Sequence, residues 1–145
     1  MKGKSFAVDA SVCLKLFVEE NLSGKAEAFF ERLALDPETR FFVPDLLYLE
    51  CANALWKYVK RFGYAPDEAK RSLARILEID LIPLPVEQLA KNALALALDL
   101  GVTVYDASYL ACAKAARAPL VTADDRLARR AGKGDVRVLR LGDLD

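Results

Sequence analysis

Phe6-Ala-Val-Asp9 is a short apolar run that halts on an acid. A run this brief, with a β-branched residue and polar flanks, predicts a buried strand rather than a helix. Working outward, residues 40–43, 81–84, 119–122 and 136–141 have the same character, giving five strands. Between them the apolar spacing turns helical. The spacing predicts helices over 11–19 and 23–35, the second with Ala26, Phe29, Phe30 and Leu33 on one face and a break at Asp36-Pro37. Pro44 is expected to open a long helix through Arg61, stopped by Gly63. Pro66 opens the next, to Ile79, with Asp67 and Glu68 placed well for its dipole. Further helices are expected over 86–100, closed by Gly101, over 106–117, apolar enough to be buried, and over 125–131. Strands alternating with helices predict an α/β fold, a parallel sheet with helices on both faces. No linker, repeat or low-complexity tract interrupts it, so residues 1–145 read as one domain.

Composition narrows the chemistry. At 54% hydrophobic, 145 residues can fill a core without disulfides. Lys plus Arg equals Asp plus Glu at 21 each. A binder of nucleic acid that relied on its overall field would be basic, so contact with RNA calls for a local basic patch or for metal ions. The chain has no histidine. That excludes imidazole acid–base catalysis, a Ser-His-Asp triad and imidazole zinc sites. Cys13, Cys51 and Cys112 form no C-x-x-C pair and lie in apolar segments, the pattern of reduced thiols in a cytoplasmic protein. Met1-Lys-Gly-Lys leads straight into the first strand without a signal-peptide stretch, and no apolar run spans a bilayer, so no membrane partner is expected. What remains for chemistry is carboxylates, and these favour hard cations such as Mg²⁺ or Mn²⁺.

Four acids then stand out. In an open parallel sheet, ligands bind beyond the carboxyl ends of the strands. Asp9 follows strand one, and Asp124 lies two residues beyond strand four. Asp106 precedes the apolar helix, and Glu50 is the only charge within Leu46-Leu-Tyr-Leu-Glu-Cys-Ala-Asn-Ala-Leu-Trp56. Each has an ordinary reading too. Asp9, Asp106 and Asp124 suit helix caps, as do Ser11 and Thr122, while Glu50, Asn53, Lys57, Lys60 and Arg61 have the spacing of a solvated stripe. Capping and ligation are compatible, because a carboxylate has two oxygens. No single ordinary reading accounts for the set. Clustered like charges destabilise a fold unless a cation neutralises them, and one or two Mg²⁺ or Mn²⁺ ions would also serve phosphoryl transfer.

The motifs Phe6-Ala-Val-Asp-Ala-Ser-Val12, Pro44-Asp-Leu-Leu-Tyr-Leu-Glu-Cys-Ala-Asn-Ala-Leu55, Val104-Tyr-Asp-Ala-Ser-Tyr-Leu-Ala-Cys-Ala113 and Pro119-Leu-Val-Thr-Ala-Asp-Asp-Arg-Leu127 together resemble PIN-domain proteins. The similarity is greatest to the VapC-type ribonuclease toxins of prokaryotic toxin–antitoxin pairs. The resemblance implies a three-layer α/β/α domain whose five-stranded parallel sheet runs in the order 3-2-1-4-5. It implies that Asp9, Glu50, Asp106 and Asp124 form a catalytic metal site, with Ser11 and Thr122 supporting it by hydrogen bonds. Asp125, adjacent to Asp124, could share or replace its role. It also implies an RNA substrate, cleaved internally rather than from an end, together with homodimers and a cognate antitoxin. Lys57, Arg126, Arg129 and Arg130 are candidates to track RNA phosphates, or members of an ordinary charged surface. The alternatives are a PIN-like binding module without catalysis and a phosphatase on a doubly wound sheet. Asp9-Ala-Ser11 lacks the second aspartate of a D-x-D phosphatase motif.

Overall fold

A computed structural model describes residues 4–18 and 21–144. In chain order the elements are β1 (Ser5–Val8), α1 (Ala10–Leu14), α2 (Ser23–Leu35), β2 (Arg40–Pro44), α3 (Leu46–Phe62), α4 (Pro66–Glu78), β3 (Ile82–Leu84), α5 (Val86–Leu100), α6 (Val104–Ala116), β4 (Leu120–Thr122), α7 (Asp125–Ala131) and β5 (Val138–Arg140). The sheet is parallel throughout and ordered β3-β2-β1-β4-β5, as the resemblance implied. β1 therefore lies between β2 and β4, with Phe6 beside Phe41 and Val8 beside Val121.

Right-handed crossovers decide the faces. Successive moves from β1 to β2 to β3 place α1 to α4 on one side, and the return to β4 and on to β5 places α5 to α7 on the other. On the first side, Phe29 of α2 stacks on Phe41 at 4.5 Å and meets Phe6 edge-on at 5.2 Å. On the second, α6 lies against β1 and β2, and its run from Ala107 to Ala113 is buried, as its composition predicted. Its small side chains allow that close approach. Cys13, Cys51 and Cys112 are free and buried, and burial pushes the Cys51 and Cys112 thiols up to about 12. Among the described residues, no single helix is long and apolar enough to cross a membrane.

Several boundaries differ from expectation, each for a local reason. The first helix ends at Leu14, because Lys15, Leu16 and Phe17 donate three residues back and tighten the chain into turns. Its expected end, Glu19, lies outside the described residues, as do Met1–Gly3. Pro44 closes β2 beside Leu84 instead of opening α3. Asp45 then accepts from the Val86 backbone N–H at 3.0 Å, so it caps α5 across the sheet rather than its own helix. Helix α6 starts at Val104, because Thr103 accepts from the Asp106 N–H at 3.1 Å and is the cap. Asp106 is thus inside the first turn, not the cap.

Candidate active site

The carboxyl ends of β1, β2 and β4 and the amino end of α6 meet at one edge of the sheet. Asp9 leaves β1 in extended conformation and caps α1, with its Oδ1 accepting from the Val12 N–H at 3.2 Å. The same oxygen accepts from the Ser11 hydroxyl at 2.5 Å, and Oδ2 accepts from the Thr122 hydroxyl across the β1–β4 seam. Those hydroxyls are themselves held by backbone. Ser11 Oγ accepts from the Ala123 N–H and Thr122 Oγ1 from the Asp124 N–H, both at 3.0 Å. Ser11 and Thr122 therefore direct their protons at Asp9, the arrangement that suits a carboxylate anion.

Asp9 is 4% exposed. Burial pushes its pKa up to about 6, opposed by the donors Ser11, Thr122 and Val12 and assisted by the negative charge of Asp124. Near neutral pH it is an anion. No lysine or arginine among the described residues pairs with it.

Glu50 projects from α3, half-buried, and accepts a hydrogen bond from the Tyr109 hydroxyl of α6. Burial raises its pKa, as does the charge of Asp106, while the Tyr109 donor opposes the rise. Asp106 is also raised, first by burial and then by Asp124, with the Thr103 side chain and Arg126 pulling the other way. Asp124 caps α7, its Oδ1 accepting from the Arg126 and Leu127 N–H groups at 3.0 and 3.1 Å. The ordinary capping role is real for Asp9 and Asp124 and coexists with their place at this edge.

Asp106, Asp124 and Arg126 line a cleft of about 220 Å³ with Gly101, Val102, Thr103 and Leu127. Gly101 has φ +70°, and a Cβ there would come within 3.0 Å of Arg130 Nη1, so Arg130 also borders this turn. Lys57 and Arg129 are exposed and form no hydrogen bond or ion pair with the four acids among the described residues. Asp125 is exposed and sits 3.7 Å from Arg140, turned toward β5. Electrostatic coupling thus joins Asp9 to Asp124, Asp124 to Asp106, and Asp106 to Glu50. Among the described residues, no three acids or thiols close into a preformed metal cage.

Two participants were missed in the sequence. Thr103 and Asp106 fit the S/T-x-x-D/E cap signature, a signal that was available. Tyr109 follows Asp106 by one helical turn, but only the fold shows that its hydroxyl reaches α3.

Comparison with known proteins accords with this architecture. A family model described as PIN domain matches residues 6–133. Ribonuclease VapC3 of Pyrobaculum aerophilum is 39% identical over 126 residues, covering 85% of this chain and 92% of that protein. VapBC2 from Rickettsia felis, bound to a DNA fragment from its promoter, superimposes with TM-score 0.67 at 15% identity, covering 94% of this chain and 98% of that one. VapBC-1 from nontypeable Haemophilus influenzae gives TM-score 0.65 at 16% identity, covering 96% and 99%. With the sheet order and the family match agreeing over most of its length, the chain belongs to the PIN-domain family.

Proposed function

We propose that this protein is a Mg²⁺- or Mn²⁺-dependent endoribonuclease, the toxin of a cytoplasmic toxin–antitoxin pair, acting through Asp9, Glu50, Asp106 and Asp124. The observation that carries the reading is Asp9: a buried carboxylate given donors on both oxygens and no cationic side chain among the described residues. A buried anion costs several kcal/mol, of order 3–5, unless a charge offsets it. A divalent cation fits this donor set, which is all oxygen. Mg²⁺ usually takes one or two carboxylates and keeps several waters, so coupled acids around an open cleft suit it better than a closed cage. The 39% identity to a ribonuclease supports RNA as substrate, and the VapBC neighbours support an antitoxin partner; a homodimer belongs to the same proposal.

When bound, the cation supplies charge neutralisation at the phosphate and makes a water acidic enough to attack. The chain's own residues do the rest. Asp9, Glu50 and Asp106 would hold the ion, and Asp124 would complete the set or orient a water beside it. Asp124 is preferred to Asp125, which pairs with Arg140 instead. Ser11 and Thr122 lock Asp9 in place from a rigid backbone. Arg126, which lines the cleft with Asp106 and Asp124, would meet a phosphate, with Arg130 bordering the same turn and Lys57 and Arg129 as further candidates.

The test is cleavage of purified RNA. Activity is expected to vanish in EDTA and to return with Mg²⁺ or Mn²⁺. Undiminished cleavage in excess chelator overturns the proposal.

A further inference from the structure

Tyr109 is 3% exposed and lies within the buried, mostly apolar run Ala107–Ala113 of α6. Packing alone asks for phenylalanine there, since a buried phenol has to find a partner for its hydroxyl. The hydroxyl crosses to α3 and donates to Glu50 Oε1, 59 residues earlier in the chain. It has no second partner among the described residues, and no lysine or arginine among them pairs with Glu50. One helix therefore offers Glu50 two opposing influences. Asp106, in its first turn, repels the carboxylate, and Tyr109, one turn later, holds it. A glutamate on a helix surface is free to swing its carboxylate into water, and restraining that freedom has an entropic cost that a designated donor offsets. With Oε1 occupied, Oε2 is left without a hydrogen-bond partner among the described residues.

Building on the proposed metal-dependent site, we infer that Tyr109 is a positioning residue that clasps Glu50 Oε1 and leaves Oε2 to a divalent cation. It touches neither substrate nor metal. Its effect passes through Glu50 alone, which makes the inference testable by a double-mutant cycle.

Tyr109→Phe, Glu50→Gln and the double variant are compared with wild type, using the full chain, Mn²⁺ titration by electron paramagnetic resonance, and steady-state RNA cleavage. Unfolding midpoints without metal check that each variant folds, and Tyr109→Phe keeps the ring that fills the core. Tyr109→Phe is expected to weaken Mn²⁺ binding about tenfold, the low end for losing a residue that supports a ligand. Cleavage at limiting metal should fall through kcat, with the KM for RNA unchanged. In the Glu50→Gln background the same change should have no further effect on Mn²⁺ affinity. An equal loss in both backgrounds overturns the inference, because Tyr109 would then act by packing. Full RNA cleavage by a folded Glu50→Gln protein removes Glu50 from the proposed site, and with it the premise of this inference, whereas undetectable cleavage by wild type with Mn²⁺ removes the nuclease reading itself. An inactive Glu50→Gln beside a Tyr109→Phe protein with unaltered Mn²⁺ affinity and turnover removes only the role of Tyr109.

Discussion

The β1–β4 seam and the α3–α6 seam each bring a carboxylate to the same edge of the sheet, but they hold it differently. At the first, Asp9 is buried and accepts from two hydroxyls and one backbone N–H, each hydroxyl fixed in turn by a backbone donor. At the second, Glu50 is half-buried and accepts from one phenol on a neighbouring helix. Strand edges are rigid and short, so the first seam permits one arrangement. Helices present longer side chains from farther away, so the second tolerates movement. On the proposed metal site, this difference divides the labour: Asp9 would fix where a cation sits, while Glu50 and Asp106 would adjust around it.

Asp9→Asn should break this comparison most severely if it is wrong. Asparagine presents one acceptor oxygen, and its amide would face the Thr122 hydroxyl, which already accepts from the Asp124 N–H. Loss of RNA cleavage is expected to exceed about 100-fold, more than removing a supporting residue costs. Retained activity would show that the β1–β4 seam is not the anchor.

Next comes pH. Asp9 is raised from 3.8 to about 6 in the folded protein, chiefly by burial. The folded state therefore binds this proton more tightly than the unfolded chain. The resulting stabilisation is complete below about pH 4 and lost as pH rises through about 6, a change on the order of 3 kcal/mol. Chemical denaturation of metal-free protein across this window should show the fall, and Asp9→Asn should flatten it. On the proposed metal site, Mg²⁺ should restore stability at neutral pH, because an ion held only by the folded state stabilises it.

Asp106→Asn sharpens the comparison from the other seam. Its cap is supplied by Thr103 and survives the change. Removing a carboxylate whose pKa is raised by burial and by Asp124 should stabilise metal-free protein at neutral pH, by less than the Asp9 effect. Mg²⁺ should then lift the thermal midpoint less than in wild type. Equal responses to metal would return Asp106 to a purely structural role. The smallest effect is expected for Asp125→Asn, which loses one exposed contact to Arg140. Stability should move by less than about 0.5 kcal/mol and cleavage should be unchanged. A large loss of cleavage would exchange the roles of Asp124 and Asp125.

The sequence made the sheet legible because its strands are brief apolar runs between breakers, and the resemblance supplied their order. It was less informative at helix ends, where competing partners lie far away in the chain. Pro44 looks like a helix opener, yet β3 recruits it as a strand residue and borrows Asp45 to cap α5. The helix expected from residue 106 begins two residues earlier, at Val104, because Thr103 supplies its cap. Asp9, Asp106 and Asp124 stood out because each follows a strand or enters a helix, and Glu50 because it is the only charge in an apolar stretch of α3. Tyr109 was not, since nothing in an apolar helix distinguishes a core tyrosine from one that reaches a carboxylate on another element.

The bond from Thr122 to Asp9 spans 113 residues. During synthesis, β1, β2 and α6 emerge with Asp9, Glu50 and Asp106 already in the chain, while β4 is still to come. Until it arrives, β1 has one open edge, and Asp9 lacks both the Thr122 donor and the Ala123 and Asp124 amides that orient the hydroxyls. The site therefore closes late, as one of the last contacts of a long-range topology. A ribosome making this protein would carry an unfinished edge, with the proposed site unassembled, until the final strands leave the exit tunnel.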